Sequence, residues 1–252
     1  MISLSNQIAL VVGGSRGIGA ATARLFSTAG AHVVITYQHD EKAAKEVARA
    51  IEKNKRECLL IKGSIEAAED CKRIVDETYK HFKRIDILVN SAGIWERGEI
   101  GKMSLENWKR TIDINLNGMF SMCNLVVPIM KKQKYGRIIN ISSTAAQRGE
   151  EFYSHYAASK GGMISFTKSI AVELIRHGIW VNCVAPGWVD TDMVSHVFAD
   201  SKQKRQIYEA NPRGKIATPE EIAGPILFLA SELSDHIVGE VINVNGGSVL
   251  CG

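Results

Sequence analysis

Three side chains carry proton chemistry at informative intervals: Ser143, Tyr156 thirteen residues later, and Lys160 four residues beyond that. In a helix, positions i and i+4 share one face, so the phenol and ammonium of "YAASK" can converge on one point. A free tyrosine, with a pKa near 10, is a poor base at neutral pH, and a dehydrogenase must favour its anion by roughly 3 to 4 kcal/mol. An ammonium at about 4 Å supplies on the order of 4 kcal/mol at an effective dielectric of about 20. The trio therefore suits proton transfer at a carbonyl or alcohol oxygen, with Tyr156 as acid and base, Lys160 lowering its pKa and Ser143 donating a hydrogen bond to developing charge. Taken singly, an exposed ion pair and a strand-end cap are the alternatives. No G-x-S-x-G elbow surrounds Ser143, which argues against a hydrolase. His155 points about 100° away from Tyr156 on a helix and is expected to pack or face solvent.

The elements that must hold these groups alternate along the chain. Short β-branched runs ("IALVVG", "HVVITY", "CLLIKG", "IDILVN", "GRIINIS", "WVNCVAPG", "EVINVNGG") are separated by helical patterns such as "EKAAKEVARAIEKNK". Near-continuous apolar strands joined by helices predict a Rossmann-type doubly wound parallel sheet of about seven strands in a three-layer α/β/α arrangement. Ligands of such sheets bind beyond the carboxyl ends of the strands, where strand order reverses. The unusual residues fall there, with Gly13 after the first strand, Asn90 to Gly93 after the fourth, Ser142 and Ser143 after the fifth, and Pro186 and Gly187 after the sixth. The stretch near 189–220 lacks a strand and reads as an insertion of short helices.

The 252 residues, 45% hydrophobic and 23% charged, fit one domain over 1–252. A net charge of +4 with scattered Lys and Arg gives no nucleic-acid footprint. Five cysteines without a CxxC or Cys/His cluster predict neither a disulfide framework nor a metal site, and fit a cytoplasmic protein. No apolar run of roughly 18 residues suggests a membrane span, and the N-terminus has no signal-peptide pattern.

"VVGGSRGIGAATA" places Gly13, Gly17 and Gly19 between a strand and a helix, where glycine allows close backbone approach and the helix start offers free N–H groups to a pyrophosphate. A plain strand-to-helix turn is the alternative. The second strand ends in neutral Thr36 and Tyr37 rather than in an acid that would bind a ribose 2′-hydroxyl. Asp40 reads as a helix N-cap, and Arg16 offers a fork for a 2′-phosphate. NADP(H) is therefore favoured over NAD(H).

Together these motifs resemble the short-chain dehydrogenases/reductases over nearly the whole chain. Gly13, Gly17 and Gly19 are similar to that family's glycine loop, Asn90-Ser91-Ala92-Gly93 to its N-N-A-G turn, Asn115 in "DINLNG" to its helix asparagine, and Ser143, Tyr156 and Lys160 to its catalytic set. Val12 stands where Thr is common, Ser91 replaces an Asn, and Gly63-Ser64-Ile65 lacks the Asp often set against the adenine.

The resemblance implies a catalytic set of Asn115, Ser143, Tyr156 and Lys160, with Asn115 keeping a relay water in place and Lys160 also holding the ribose. It implies cofactor contacts from Ser15, Arg16 and Ile18 beside the three glycines, from Tyr37, Ser64 and Ile65, and from Asn90, Ala92 and Gly93. Pro186, Gly187, Val189 and Thr191 would face the nicotinamide, and the 189–220 insertion would be a substrate lid. Trp95, Trp188 and Phe152 are candidates for the substrate pocket or for plain packing. The wording is closest to 3-oxoacyl-acyl-carrier-protein reductases, with sugar, polyol or steroid dehydrogenases as alternatives. Lys131, Lys132, Lys134 and Arg176 are candidates for meeting an acidic carrier. A homotetramer is implied, and a non-catalytic NADP(H) sensor is the reading from another class.

Overall fold

The computed structural model describes residues 2–251. Seven strands, β1 (Ile8–Val12), β2 (His32–Tyr37), β3 (Cys58–Lys62), β4 (Ile87–Asn90), β5 (Gly136–Ile141), β6 (Ile179–Pro186) and β7 (Val241–Val244), form one sheet in the order β3-β2-β1-β4-β5-β6-β7. Every neighbouring pair is parallel. The order reverses at β1, which pairs with β2 on one side and β4 on the other. Above that reversal the crevice opens.

Period-two alternation sends successive strand residues into two separate cores. Ala9, Val11, Val33, Ile35, Ile87 and Val89 face the layer of α1 (Gly17–Thr28), α2 (Glu41–Lys53) and a late helix, Pro219–Leu229. Leu10, Val12, Val34 and Leu88 face the layer of α3 (Ala68–Phe82), the helix Gly118–Gln133 and the helix Ser154–Leu174. Of the helices that cover the sheet, α2 and α3 are strongly amphipathic. Helix α2 buries Ala44, Val47, Ala48 and Ile51 and is capped by Asp40, whose Oδ1 accepts from Ala43 N at 2.8 Å.

We number α4 Leu105–Ile112, α5 Gly118–Gln133, α6 Ala145–Arg148, α7 Ser154–Leu174, α8 Ser195–Ala199, α9 Ser201–Ala210 and α10 Pro219–Leu229. A π-turn over Asp113–Asn117 joins α4 to α5 without a break. The resulting run, Leu105–Gln133, has 29 residues and is long and apolar enough, by length and composition alone, to cross a bilayer. The run is a core helix in the fold, because Met119, Met122, Cys123, Val126 and Met130 are buried against α3, β4 and β5.

Polar anchors brace the opposite, amino edge of the sheet. Buried Asp86 accepts from Ile8 N at 2.8 Å, and buried Arg137 lies 4.6 Å from the Trp180 ring and reaches Ser234 Oγ at 3.2 Å. A buried charge survives only when its hydrogen bonds are met, as here. Lys131, Lys132, Lys134 and Arg176 precede β5 and β6, so within one chain they sit at this edge rather than at the crevice.

Candidate active site

The loop after β1 fits α1 closely onto the sheet. Gly13 has φ +77, and a Cβ there would lie 2.8 Å from the Ala92 backbone. A Cβ on Gly19 would come within 2.2 Å of the Gly13 carbonyl oxygen, so Gly19 is a packing glycine buried beneath the loop. Gly13 N donates to Thr36 Oγ1 at 3.0 Å and Gly14 N to Thr36 O at 3.1 Å. Thr36, noted in sequence only as neutral, thus fixes the loop from the neighbouring strand. Arg16 is the N-cap of α1 and makes no side-chain cap, and no acid stands in the first turn. The N–H groups at the start of α1 therefore await an acceptor, and a pyrophosphate fits.

Gly13, Ser15, Arg16, Gly17 and Ile18 line one end of the crevice with Tyr37, Ser64 and Ile65. The turn after β3 is held from an unexpected side, since Ser64 N donates to Asp70 Oδ2 at 2.8 Å. Ala92, Gly93, Pro186, Gly187, Val189 and Thr191 line the middle.

Asn90 does not. Its Nδ2 donates to Asn140 Oδ1 at 2.8 Å, and Asn140 Nδ2 donates to Thr167 Oγ1 at 2.9 Å, which ties β4, β5 and α7 together below the site. Asn115 is also drawn inward. Its Oδ1 accepts from Ile94 N at 2.8 Å, and its Nδ2 donates to Ile94 O at 2.9 Å and Ser159 Oγ at 3.2 Å. Both side chains act as struts, and neither Asn90 nor Asn115 is among the residues that line the crevice. Motif spacing alone does not distinguish a strut from a ligand.

Ser143, Tyr156 and Lys160 all line the crevice. Ser142 Oγ donates to Lys160 O at 2.9 Å, locking the end of β5 against α7. Lys160 Nζ donates to Ile141 O at 2.7 Å and lies 5.8 Å from the centre of the Tyr156 ring. A Cβ on Gly93 would sit 3.6 Å from that ammonium, so the glycine leaves it room.

The electrostatics run against the simple expectation. Burial pushes the Tyr156 phenol up to about 12, the neighbouring Ser143 hydroxyl lowers it, and Glu150 raises it further. Burial also brings Lys160 down to about 8. Desolvation disfavours both charged forms, and the one hydrogen bond of the ammonium among the described residues goes to Ile141 O rather than to the phenol. Among protein groups alone, the lysine does not make the tyrosine acidic.

His155 is buried, with neither ring nitrogen hydrogen-bonded, and burial lowers its pKa. It packs 3.2 Å from the position of a Gly98 Cβ, so the packing alternative holds and a surface one does not. Trp95 and Trp188 line the crevice, whereas Phe152 lies outside it beneath the Arg97 guanidinium at 4.1 Å. The excursion after β6 has a closed neck, with Asp190 N donating to Ala217 O at 2.9 Å and Ala217 N to Trp188 O at 3.2 Å. Between these ends run a 3-10 turn, α8 and α9. No group of three or more potential metal ligands occurs among the described residues.

This sheet, glycine loop and Ser-Tyr-Lys set define a nicotinamide-dependent oxidoreductase. The family model described as Enoyl-(Acyl carrier protein) reductase matches residues 12–248, and the chain belongs to the short-chain dehydrogenase/reductase family. It is 40% identical over 251 residues, 99% of this chain and 100% of the relative, to a 3-oxoacyl-acyl-carrier-protein reductase of Synechocystis sp.. An Aquifex aeolicus protein of the same name is 39% identical over 246 residues, 98% of each chain. Among solved structures, a putative short-chain alcohol dehydrogenase from Sinorhizobium meliloti matches with TM-score 0.94 at 30% identity, covering 98% of this chain and 97% of that one. A putative NAD(P)-dependent gluconate 5-dehydrogenase from Beutenbergia cavernae, solved with NADP, matches with TM-score 0.93 at 32% identity over 98% of both.

Proposed function

We propose that this protein interconverts a carbonyl and a secondary alcohol with NADP(H), and that its first substrate class is the 3-oxoacyl thioester named for its curated relatives. The observation that carries the reading is the convergence of Ser143, Tyr156 and Lys160 on one crevice beside the glycine loop. When bound, the nicotinamide supplies or accepts the hydride, and its oxidised ring adds a positive charge.

The chain's own residues do the rest. Tyr156, held protonated by burial, gives its proton to the substrate oxygen during reduction. Ser143 donates a hydrogen bond to the same oxygen as charge develops there. Lys160, anchored by Ile141, would hold the ribose hydroxyls of the bound cofactor. Asn115 positions the strand-end turn through Ile94 and α7 through Ser159.

Arg16 is exposed at the rim and β2 ends in Tyr37 rather than an acid, which supports a 2′-phosphate over a bare 2′-hydroxyl; Asp40 lines the same end of the crevice with its Oδ1 held by Ala43 N. The 189–220 excursion acts as the substrate lid, within a single domain. Exposed Leu105, Trp108, Phe120 and Val172 on α4, α5 and α7 support a homotetramer, whose copy number native mass spectrometry reads. A cytoplasmic location belongs with this reading.

The test is a panel of acetoacetyl and longer 3-oxoacyl thioesters with NADPH and NADH. The proposal expects thioester-dependent NADPH oxidation. Tight NADPH binding without turnover of any carbonyl would support a sensor instead.

A further inference from the structure

The substrate end of the crevice carries an aromatic wall. Trp95 stacks on Tyr153 with ring centres 4.2 Å apart and planes within 4°, and Trp188 meets Trp95 edge-on at 5.7 Å. From the lid, His196 lies 5.6 Å from Trp95. This wall is pinned by the backbone, because Gly98 N donates to Phe152 O at 2.7 Å and Gly98 pairs with Tyr153 in an isolated bridge.

The same turn aims an acid into the crevice. Phe152 sits at φ +64, a left-handed conformation that a bulky side chain adopts only when the surroundings impose it. Glu150 lines the crevice beside Tyr156, and Trp95 Nε1 approaches its Oε2 at a long 3.4 Å. No donor among the described residues is hydrogen-bonded to its Oε1. Arg148 also lines the crevice and makes no ion pair among the described residues. Burial holds the Glu150 carboxyl above its ordinary pKa, while the Trp95 hydrogen bond and the Arg148 charge lower it.

We propose that Trp95, Trp188 and Glu150 form a substrate subsite for a compact ring ketone, or its alcohol, that bears a hydroxyl group, as a further activity of this site. The ring's C–H face lies on the indoles and its hydroxyl donates to the carboxylate. The reaction balances with NADPH as reductant: hydride goes to the carbonyl carbon and the Tyr156 proton to its oxygen, giving the ring alcohol and NADP+.

The inference rests on the carbonyl–alcohol reading of the crevice, and the experiment separates the two. NADPH-dependent reduction is measured for cyclohexanone and for its 2-, 3- and 4-hydroxy and 2-, 3- and 4-methoxy derivatives, with acetoacetyl thioester alongside. At least one hydroxy ketone is expected to exceed its methoxy counterpart about tenfold or more in kcat/KM, since a methoxy group cannot donate. In Glu150→Ala that ratio falls to within about twofold. Trp95→Ala is expected to raise KM for the ring ketones several-fold more than for acetoacetyl thioester, and Trp95→Phe to restore most of the loss should the alanine variant fold poorly. Equal rates for hydroxy and methoxy ketones, a ratio that survives Glu150→Ala, or no turnover of any ring ketone would overturn the subsite. Thioester turnover that disappears in Tyr156→Phe would leave the reductase reading standing in each of those cases.

Discussion

The Lys160 ammonium donates to the Ile141 carbonyl at 2.7 Å, so the cation one helical turn from Tyr156 is moored to the end of β5 rather than to the phenol. That bond holds the ammonium at the end of β5. It fixes the cation where it can act on whatever enters between Gly93 and Tyr156, while burial keeps the tyrosine protonated.

Reduction and oxidation should respond to pH differently. Reduction needs the protonated phenol, and a phenol pushed up to about 12 stays protonated through the neutral range. Oxidation needs the phenolate, whose fraction grows about tenfold per pH unit below the pKa. The logarithm of kcat/KM for alcohol oxidation is expected to rise with a slope near one between about pH 6 and 8, while ketone reduction does not rise. Steady-state profiles in both directions check this, and an oxidation plateau beginning near pH 6 would contradict it.

Lys160 costs the fold stability. Its pKa drops from 10.5 to about 8 on burial, a penalty on the order of 3 kcal/mol for the charged form. Below pH 8 folded and unfolded states both hold the proton and the full penalty applies. Between about 8 and 10.5 the unfolded state binds more proton, so stability from this group rises with pH. Lys160→Met is therefore expected to be more stable than wild type at pH 7 by about 1 to 2 kcal/mol, after allowing for the lost bond to Ile141. Urea denaturation at pH 7 and 9.5 should show that advantage shrinking at the higher pH.

Cofactor choice should pass through Arg16. Removing the guanidinium takes away a charge-assisted bond worth about 1.5 to 3 kcal/mol to a 2′-phosphate and nothing comparable for a 2′-hydroxyl. Arg16→Gln is expected to raise the Kd for NADPH about tenfold or more and to change the Kd for NADH less than threefold. Fluorescence titration of both reduced cofactors measures the two values, and equal losses would remove Arg16 from the 2′-site.

Much of the fold and part of the site could be read from residue patterns. All seven strands fall on the β-branched runs, because a strand buried on both faces leaves an unbroken apolar signal of the kind seen at Ile8–Val12. The Asp40 cap was legible because its residue type and its place before an amphipathic run are local. Long-range partnerships were not. Nothing near Asn90 or Asn115 in sequence shows that their amides are spent on Asn140 and Ile94, and nothing near Thr36 shows that it holds Gly13. The sign of the tyrosine shift failed for the same reason, since spacing gives the proximity of Lys160 but not the burial of both groups. The glutamate that faces the substrate end sits in "QRGEEFY", where only the left-handed turn at Phe152 and the bridge to Gly98 reveal its direction.

The central claim is that Tyr156 delivers the proton as hydride arrives. Single-turnover oxidation of bound NADPH by acetoacetyl thioester, compared between wild type and Tyr156→Phe, tests it most directly, with NADPH affinity measured on the same samples. The account predicts a loss of about 10³-fold in the chemical step, within the range for a general acid, and a Kd for NADPH within about threefold of wild type. A variant that turns over within tenfold of wild type would contradict it.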